Sequence, residues 1–382
     1  MTRKLIFIII ANLFIALVLV QTYLRPFRDM ILSGAEQKTR PEITSFRDAT
    51  TGKFQGAVEK WLKQNIGFRG YFVKTDNQIN YSIFNEFSRS HPRKIILGKQ
   101  KQLFEEAYID TYNRLCVSPE SALEKKATSI KKLQGLLGRK KVQFLLILTP
   151  SKASVYPEYI PEKYILRTNL QKKDNYQRIL PYLEKYGVNL LDGRAYFLDL
   201  KKRGVPDLFP SSGTHWSLYG GYVFAGALIE RMERLLGRHL VRIGSDRDVI
   251  SGEPIELDKD IARLGNILFT RSLFTEYRYP VTRPDTGNNA YRPNVLLVGS
   301  SFCWNILYYL DINNICSKIN FYYYFNTDYS YPNKKRSPIR KEEINWDREL
   351  LARDLVIIEI NESQIDEAGF GFIEKCLQGM GY

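Results

Sequence analysis

Residues 294–310, NVLLVGSSFCWNILYYL, join a continuous apolar run to a helical segment through one glycine and two serines. The apolar run stops at Gly299, and its lack of alternation is typical of a parallel strand that is buried on both faces. Gly299 is the small residue that a tight bend from strand to helix requires. The stretch therefore predicts a strand–turn–helix unit of an α/β sheet.

Ser301 in this turn is a candidate nucleophile. Its predicted position is the carboxyl end of a strand, where ligands of open α/β sheets bind, and the start of a helix, whose free N–H groups stabilise negative charge. The alternative is that Ser300 and Ser301 only cap the helix, because serine is a preferred N-cap residue. Taken by itself, the stretch favours the capping interpretation.

The chain on either side alternates short apolar runs with helical patterns. We predict strands at residues 142–148, 188–191, 295–298 and 355–360, and helices at residues 118–137, 175–186, 218–236 and 302–309. Strands that alternate with helices predict a parallel sheet covered on both faces. Residues 237–290 and 322–350 do not fit this alternation, and we interpret them as insertions or edge elements.

The amino terminus contains a predicted membrane anchor. A short basic segment, residues 1–4, precedes the apolar residues 5–24, and twenty helical residues span a hydrocarbon core of about 30 Å. Arg3 and Lys4 predict a cytoplasmic amino terminus, so the rest of the chain would lie on the periplasmic or extracellular side of the inner (cell) membrane. A cleaved signal peptide is the alternative, but the apolar run is long for one.

The predicted domains are an anchor at residues 1–24, a juxtamembrane linker and helical region at residues 25–90, and an α/β domain at residues 91–382. The net charge of +15 over 382 residues favours an acidic partner such as an anionic glycan, an anionic lipid surface or nucleic acid. Zinc-finger spacing, an RNP signature and long basic blocks are all missing from the sequence, so no nucleic-acid partner is predicted.

The four cysteines lack CxxC spacing, which argues against a metal site or a dense disulfide framework; they are Cys116, Cys303, Cys316 and Cys376. One disulfide stays open if the domain lies outside the cytosol. No stretch of the chain has the pattern of an acetyl-CoA site, and we expect no cofactor and no metal.

His215 is the candidate general base among the three histidines, His91, His215 and His239. It lies in a predicted loop, residues 213–217, and loops at the ends of strands carry function in α/β domains. A general base must reach the serine hydroxyl and have a pKa near neutrality. His91 and His239 each follow a predicted helix, so His215 is the best partner for Ser301.

Six blocks in order resemble the SGNH-hydrolase-like family of alginate O-acetyltransferases, the AlgX/AlgJ type of exopolysaccharide acetylation. The block Thr214-His215-Trp216-Ser217 is similar to the family's T-H-W element, and Gly299-Ser300-Ser301-Phe302 is similar to its G-x-S-F nucleophile element. The other four lie at residues 68–69, 95–104, 150–161 and 354–362. The resemblance implies a three-layer α/β/α domain with a parallel sheet, and its ordered blocks outweigh the capping interpretation of Ser301.

The resemblance also implies a reaction. Ser301 would take an acetyl group and pass it to a hydroxyl of a polysaccharide, with His215 as the base. The Ser301 N–H would donate to the oxyanion, a contact worth roughly 3–4 kcal/mol in the transition state. A separate membrane-bound protein would deliver the acetyl group.

One position departs from the family pattern. Many members have an aspartate two residues before the histidine, where it can fix the imidazole tautomer, and this chain has Gly213 there. Asp192 and Asp207 are candidate substitutes, although each has a structural explanation as a junction or turn residue. Lys152 is either an anion-binding residue at the sheet end or a surface lysine. Trp216 is a candidate substrate contact.

Two alternatives to the transferase stay open. With water as acceptor, the same serine and histidine would make an acetyl esterase or deacetylase. Without a carboxylate at Gly213, the chain could instead be a weakly active or non-catalytic glycan-binding assembly subunit. The sequence names no polymer, so alginate, cellulose and other exopolysaccharides are all open.

Overall fold

The structure is a computed structural model that describes residues 2–34, 51–87, 94–287 and 290–381. The chain divides into two units, Met1–His91 with Ala262–Ser272, and Pro92–Ile261 with Leu273–Tyr382. His91 and residues 35–50 of the predicted linker lie outside the described residues.

The smaller unit contains α1 (Thr2–Tyr23), α2 (Lys53–Asn65), α3 (Arg69–Ile79) and a π-helical turn at Asn80–Phe84. Residues Arg3–Tyr23 contain an 18-residue window with a mean hydropathy of 2.6 and form, among the described residues, the one helix long and apolar enough to cross a membrane. A signal sequence near the amino terminus passes the same test, so α1 is a candidate membrane span.

The larger unit combines helices with the strands of an α/β sheet. Its helices are α4 (Glu106–Tyr112), α5 (Glu120–Arg139), α6 (Lys152–Val155), α7 (Asn175–Lys185), α8 (Gly193–Lys202), α9 (Leu218–Leu236), α11 (Cys303–Ile312), α12 (Trp346–Leu351) and α13 (Phe372–Gly379). Helix α10 (Asp260–Leu264) begins in this unit and ends in residues assigned to the smaller one. Its strands are β1 (Ile95–Leu97), β2 (Leu103–Glu105), β3 (Gln143–Thr149), β4 (Leu190–Asp192), β5 (Arg242–Ser251), β6 (Tyr277–Asp285), β7 (Asn294–Gly299), β8 (Lys318–Tyr323), β9 (Thr327–Tyr331), β10 (Lys335–Pro338) and β11 (Leu355–Asn361).

The central sheet has seven strands in the order β10-β9-β8-β7-β11-β3-β4. The five strands from β8 to β4 are parallel, whereas β9 and β10 continue the sheet as an antiparallel edge. Strand β7 pairs with β11 so that Val295 lies opposite Leu355. The mostly parallel sheet predicted from the apolar runs is confirmed.

The sheet is buried on both faces, which explains the unbroken apolar runs. In β3, Phe144, Leu146 and Leu148 face one hydrophobic core, and Leu145 and Ile147 face the other. Helices α5, α7 and α13 cover the first face, and α8, α9 and α11 cover the second. These three layers are the predicted α/β/α architecture.

The carboxyl ends of the parallel strands lie along one edge of the sheet. Strand β3 ends at Thr149, β7 at Gly299 and β11 at Asn361. Ligands of open α/β sheets bind at this edge, so the candidate nucleophile Ser301 follows a strand end as predicted.

The structure also contains elements that were not predicted. Helix α8 follows β4 directly, and β8 extends the parallel sheet beyond β7. The insertions contain an antiparallel ribbon, β5 with β6, and the edge strands β9 and β10. In the smaller unit α3 ends at Ile79 and the chain continues as the π-helical turn, after which Asn85 has a positive φ of 53°.

Helices α9 and α11 approach each other closely at Gly221. A Cβ atom at this position would lie 2.7 Å from the Cβ of Asn305. The Asn305 amide in turn donates to the Trp216 carbonyl at 2.6 Å. This contact joins the helix after His215 to the helix after Ser301.

We expect Gly221→Ala to lower the free energy of unfolding by roughly 1–3 kcal/mol, because the added methyl group overpacks this contact. Gly226→Ala in the same helix is the matched control, since its Cβ would have no atom within 4 Å. The control should gain roughly 0.5–1 kcal/mol from helix propensity. Denaturant unfolding measures both, and equal stability of the two variants would contradict the close packing.

Candidate active site

Ser301 and Ser300 point in different directions from the turn after β7. The Ser300 N–H and hydroxyl donate to Oε2 of Glu359 at 2.7 and 2.8 Å, and the Phe302 N–H donates to the Ser300 hydroxyl at 3.2 Å. Ser301 Oγ instead lies 2.7 Å from His215 Nε2 and 3.4 Å from the Tyr324 hydroxyl. The Ser300 hydroxyl is therefore held inside the turn, and the Ser301 hydroxyl faces the histidine.

Glu359 fixes this turn from inside the protein. It is fully buried in β11, and its Oε1 accepts a 2.6 Å hydrogen bond from the Thr149 hydroxyl at the end of β3. Burial raises the pKa of Glu359, and the hydrogen bonds from Thr149 and Ser300 oppose that rise. One carboxyl group thus connects the ends of three parallel strands.

His215 lies between a hydroxyl and a carboxylate. Its Nε2 is 2.7 Å from Ser301 Oγ, and its Nδ1 is 2.7 Å from Oδ2 of Asp260. When Nδ1–H donates to Asp260, Nε2 is left as the acceptor for the serine proton. The Phe302 ring packs edge-on against the imidazole, with centroids 4.8 Å apart.

Asp260 is 45 residues after His215 and starts α10. Its Oδ1 accepts from the N–H groups of Thr214 and Ile261, both at 2.9 Å. Burial alone would raise the pKa of Asp260, but the nearby His215 and these two N–H groups outweigh it and lower the pKa below its usual value. The site therefore holds this carboxyl group in its ionised form.

Gly213 leaves the space that the Asp260 carboxylate occupies. A Cβ atom at position 213 would lie 2.9 Å from Oδ1 of Asp260. At the position where the family pattern has its own aspartate, this chain has Gly213. This glycine leaves room for Asp260, which comes from another segment of the chain. Sequence reasoning missed Asp260, because nothing in its spacing from His215 distinguishes it from the other acidic residues of the insertion.

The two aspartates proposed as substitutes have partners other than His215, so the expectation that either orients His215 is wrong. Asp192 caps α8 through the Ala195 N–H at 2.9 Å and accepts the Tyr176 hydroxyl at 2.7 Å. Asp207 forms an ion pair with Arg278 at 3.3 Å. Both side chains therefore have structural partners elsewhere.

Lys152 is neither a surface lysine nor placed to bind an anion. Its ammonium group is buried and donates to four backbone carbonyls at 2.5–3.2 Å, those of Leu103, Pro210, Ser211 and Gly213. Burial lowers the pKa of Lys152 to about 7, while the Asp260 charge acts in the opposite direction. The side chain holds the segment that leads into His215.

Trp216 is also a structural residue. It is fully buried and stacks on Phe197 with ring centroids 5.3 Å apart. A side chain without exposed surface does not touch a glycan, so the proposed substrate contact is corrected. Trp216 positions its neighbour His215 through packing.

The remaining histidine and cysteine candidates fall outside the site. His239 Nδ1 lies 2.8 Å from a Glu233 carboxylate oxygen, and the histidine is half exposed. All four cysteines, which lie in the described part of the chain, are free. The single disulfide bond that the sequence analysis allowed is therefore not formed.

Comparison with known proteins identifies the family. A family model described as ALGX, the SGNH hydrolase-like domain of the acetyltransferase AlgX, matches residues 95–310, more than half of the chain. The chain belongs to this family. Ser301, His215 and Asp260 all lie within the matched residues, and the family resemblance inferred from the six blocks is confirmed.

A curated relative and solved structures extend the comparison. The chain is 24% identical over 177 residues to a probable alginate O-acetylase AlgJ of Azotobacter vinelandii, which covers 46% of this chain and 42% of the relative. The chain thus spans less than half of the length of that relative.

Two solved structures resemble the chain at low identity. The O-acetyltransferase domain of Pseudomonas putida AlgJ is 20% identical, with a TM-score of 0.47 over 71% of this chain and 92% of that one. Pseudomonas aeruginosa AlgX is 14% identical, with a TM-score of 0.47 over 75% of this chain and 68% of that one.

Asp258 is a second buried carboxyl group beside the family site. Its Oδ1 accepts the Leu218 N–H at the start of α9 at 3.1 Å. Burial raises the pKa of Asp258 to about 7, and the negative charge of Asp260 contributes to the rise. In the unfolded chain an aspartate has a pKa of about 3.9.

Between about pH 4 and pH 7 the folded protein therefore keeps a proton on Asp258 that the unfolded chain has lost. The contribution of this group to stability should fall as the pH rises through that window, by at most about 1.4 kcal/mol per pH unit. We expect Asp258→Asn to remove this fall, as measured by denaturant unfolding at pH 5 and pH 8. Asp347→Asn, at an exposed carboxylate, controls for the loss of one charge. A pH dependence identical to that of the unsubstituted protein would refute the assignment.

Proposed function

We propose that this protein is a membrane-anchored O-acetyltransferase that moves an acetyl group through Ser301 onto hydroxyls of an extracytoplasmic exopolysaccharide. The observation that carries the proposal is His215, whose two ring nitrogens lie 2.7 Å from Ser301 Oγ and 2.7 Å from Asp260. A nucleophile, a base and a group that orients the base are the parts that acyl transfer through serine requires.

In the first half-reaction, His215 Nε2 accepts the Ser301 proton as Oγ attacks the carbonyl carbon of the acetyl donor. The bond between the acetyl carbon and the donor breaks, and His215 returns the proton to the leaving group. Ser301 now carries the acetyl group as an ester.

In the second half-reaction, a sugar hydroxyl gives its proton to His215 and attacks the ester carbonyl. The Ser301 oxygen leaves and takes the proton back, so the enzyme is regenerated and the sugar is acetylated. Asp260 holds the Nδ1–H tautomer and stabilises the imidazolium that forms in both steps.

Two donors near Ser301 are available to the tetrahedral intermediates. The Ser301 N–H is the donor that the family resemblance implies. The Tyr324 hydroxyl, 3.4 Å from Ser301 Oγ, is close enough to approach an oxyanion formed there. Donors of this kind stabilise the charge that develops in the transition state.

Several features support a polysaccharide as acceptor and a membrane location. The curated relative is named as an alginate O-acetylase, and the net charge of +15 suits an anionic glycan. Helix α1 would anchor the enzyme in the inner (cell) membrane. A separate membrane protein would supply the acetyl group.

The contact between Asp260 and His215 supports an active enzyme over a non-catalytic binding subunit, since Gly213 was the main reason for that alternative. An esterase would use the same residues with water as the acceptor. Purified enzyme incubated with an acetyl ester, with and without an oligosaccharide, separates the two: acetylated sugar indicates the transferase, and hydrolysis without it indicates the esterase.

We expect Ser301→Ala and His215→Ala to abolish acetyl transfer, and Asp260→Ala to lower kcat roughly 10⁴-fold, because the imidazole loses its orienting carboxylate. Asp207→Asn is the matched control at a carboxylate without contact to His215 and should retain activity. The measurement is glycan acetylation in cells and ester hydrolysis in vitro. Wild-type acetylation in Ser301→Ala would disprove the proposal.

A second test moves the orienting carboxylate from residue 260 to residue 213. The double variant Gly213→Asp/Asp260→Ala places a carboxylate two residues before His215. It removes one of the two groups that a Cβ at position 213 would meet at 2.9 Å, and the other, Pro210 Cγ, stays in place. We expect the kcat of the double variant to be at least about tenfold higher than that of Asp260→Ala. Activity no higher than that of Asp260→Ala would show that the carboxylate at residue 260 does more than orient the histidine.

A further inference from the structure

An aromatic cleft lies beside the candidate active site. It has a volume of about 270 Å³, and we call it the α11 cleft; it is lined by Leu257, Trp304, Leu307, Tyr308, Asp311, Tyr329, Tyr331, Lys334 and Lys335. This volume is close to the lower end of the roughly 300–1,000 Å³ range of small-molecule sites.

One face of α11 forms the floor of the cleft. Trp304, Leu307, Tyr308 and Asp311 follow one another at three- and four-residue spacing, so they form a single stripe along the helix. Such a stripe usually packs into a core, but Tyr308 is 40% exposed and Trp304 is partly exposed.

Strand β9 forms the opposite wall. Tyr329 and Tyr331 are two residues apart in this strand and therefore lie on the same face of the sheet. The Trp304 ring packs against Tyr329 with centroids 4.9 Å apart. The cleft is thus bounded by flat aromatic rings from a helix and from the antiparallel edge of the sheet.

A chain of aromatic contacts connects the wall of the cleft to the nucleophile. Trp304 lies 5.3 Å from the Tyr323 ring, and Tyr323 lies 4.6 Å from the Tyr324 ring. The Tyr324 hydroxyl reaches Ser301 Oγ at 3.4 Å. Trp304 is also one helical turn beyond Ser301, since its N–H donates to the Ser301 carbonyl at 3.2 Å.

The far end of the cleft is charged. Lys334 pairs with Asp311 at 3.5 Å, and its side chain is 73% exposed. Lys335 and Arg336 follow in the same hairpin, and the Arg336 guanidinium lies 5.7 Å from the centre of the Tyr329 ring. Donors and an acceptor therefore border an apolar aromatic surface.

We propose that the α11 cleft is a subsite for a sugar ring of the acceptor polysaccharide, next to the ring that receives the acetyl group. A pyranose ring has an apolar face of C–H groups, which carry partial positive charge and pack against the negative face of an aromatic ring. Its edge carries hydroxyls that suit Asp311 and the lysines. A lipid or an apolar protein helix would call for more aliphatic lining, and Leu257 and Leu307 are the two aliphatic residues that line the cleft.

The inference rests on the proposed function, because it takes the acceptor to be a glycan. A neutral hexose polymer and a uronic-acid polymer both contain the kind of sugar ring that the cleft would bind. The exposed amines of the hairpin favour tighter binding of the uronic acid.

The test measures binding of two probes, a uronic-acid tetrasaccharide and a neutral hexose tetrasaccharide, to the purified full chain by calorimetry. We expect Tyr308→Ala to weaken binding roughly tenfold, the effect of losing one stacked aromatic ring. Ile312→Ala is the matched control, since it lies on the same helix, is 46% exposed and does not line the cleft. Equal affinities in Tyr308→Ala and Ile312→Ala would overturn the subsite.

Lys335→Ala tests whether the bound ring comes from a uronic-acid polymer or from a neutral hexose polymer. A loss of affinity for the uronic-acid probe alone supports a carboxylate bound at the hairpin, and unchanged affinity for both probes would overturn the contact with this lysine.

Hydrolysis of a small acetyl ester distinguishes a failure of the subsite proposal from a failure of the proposed function. Tyr308→Ala should hydrolyse the ester at the wild-type rate, because a small ester does not reach the cleft, and a matching loss of hydrolysis would overturn a purely glycan-binding role. If the wild-type protein hydrolyses no ester and acetylates no glycan, the proposed function fails, whereas the binding comparison still decides whether the cleft takes a sugar.

Discussion

The buried carboxyl group of Glu359 is the contact on which the arrangement of the site depends. Taking a carboxylate out of water is costly unless it is hydrogen-bonded, and here Thr149 and Ser300 supply three donors at 2.6–2.8 Å. The same bonds join the ends of β3, β7 and β11. Because Ser300 is held inward by both its N–H and its hydroxyl, Ser301 is left facing His215. The orientation of the nucleophile is thus a consequence of satisfying a buried acid.

A second buried charge fixes the other half of the pair. The Lys152 ammonium binds four backbone carbonyls, three of them at residues 210–213 immediately before His215. Side chains that do not take part in the chemistry therefore hold both reacting groups, a buried carboxyl group beneath the serine and a buried amine beneath the histidine. Such networks are sensitive to partial loss, because removal of one partner leaves the other charge buried without compensation.

The sequence was sufficient for the residues whose role is local. The apolar run of β7, the glycine that ends it and the block around His215 each have a pattern within a few neighbouring residues, and the predicted parallel sheet followed from them. Asp260 and Lys152 were missed or misassigned because their roles depend on distant backbone. The carbonyl acceptors around Lys152 come from residues 103, 210, 211 and 213. Trp216 was misassigned for a related reason, since a motif does not reveal that its ring is buried against Phe197.

Helix α11 shows how one element can serve two tasks. Its start follows the turn that presents Ser301, and its side supplies the stripe of Trp304, Tyr308 and Asp311. This stripe faces the short strands β9 and β10 at the edge of the sheet. A parallel strand at this edge would need a crossover helix to cover it, and the antiparallel edge needs none. The change from parallel to antiparallel pairing beyond β8 therefore leaves an aromatic surface exposed within one helical turn of the nucleophile. In this way the topology of the sheet edge, together with the residues of the helix, determines where an extended acceptor can lie against the enzyme.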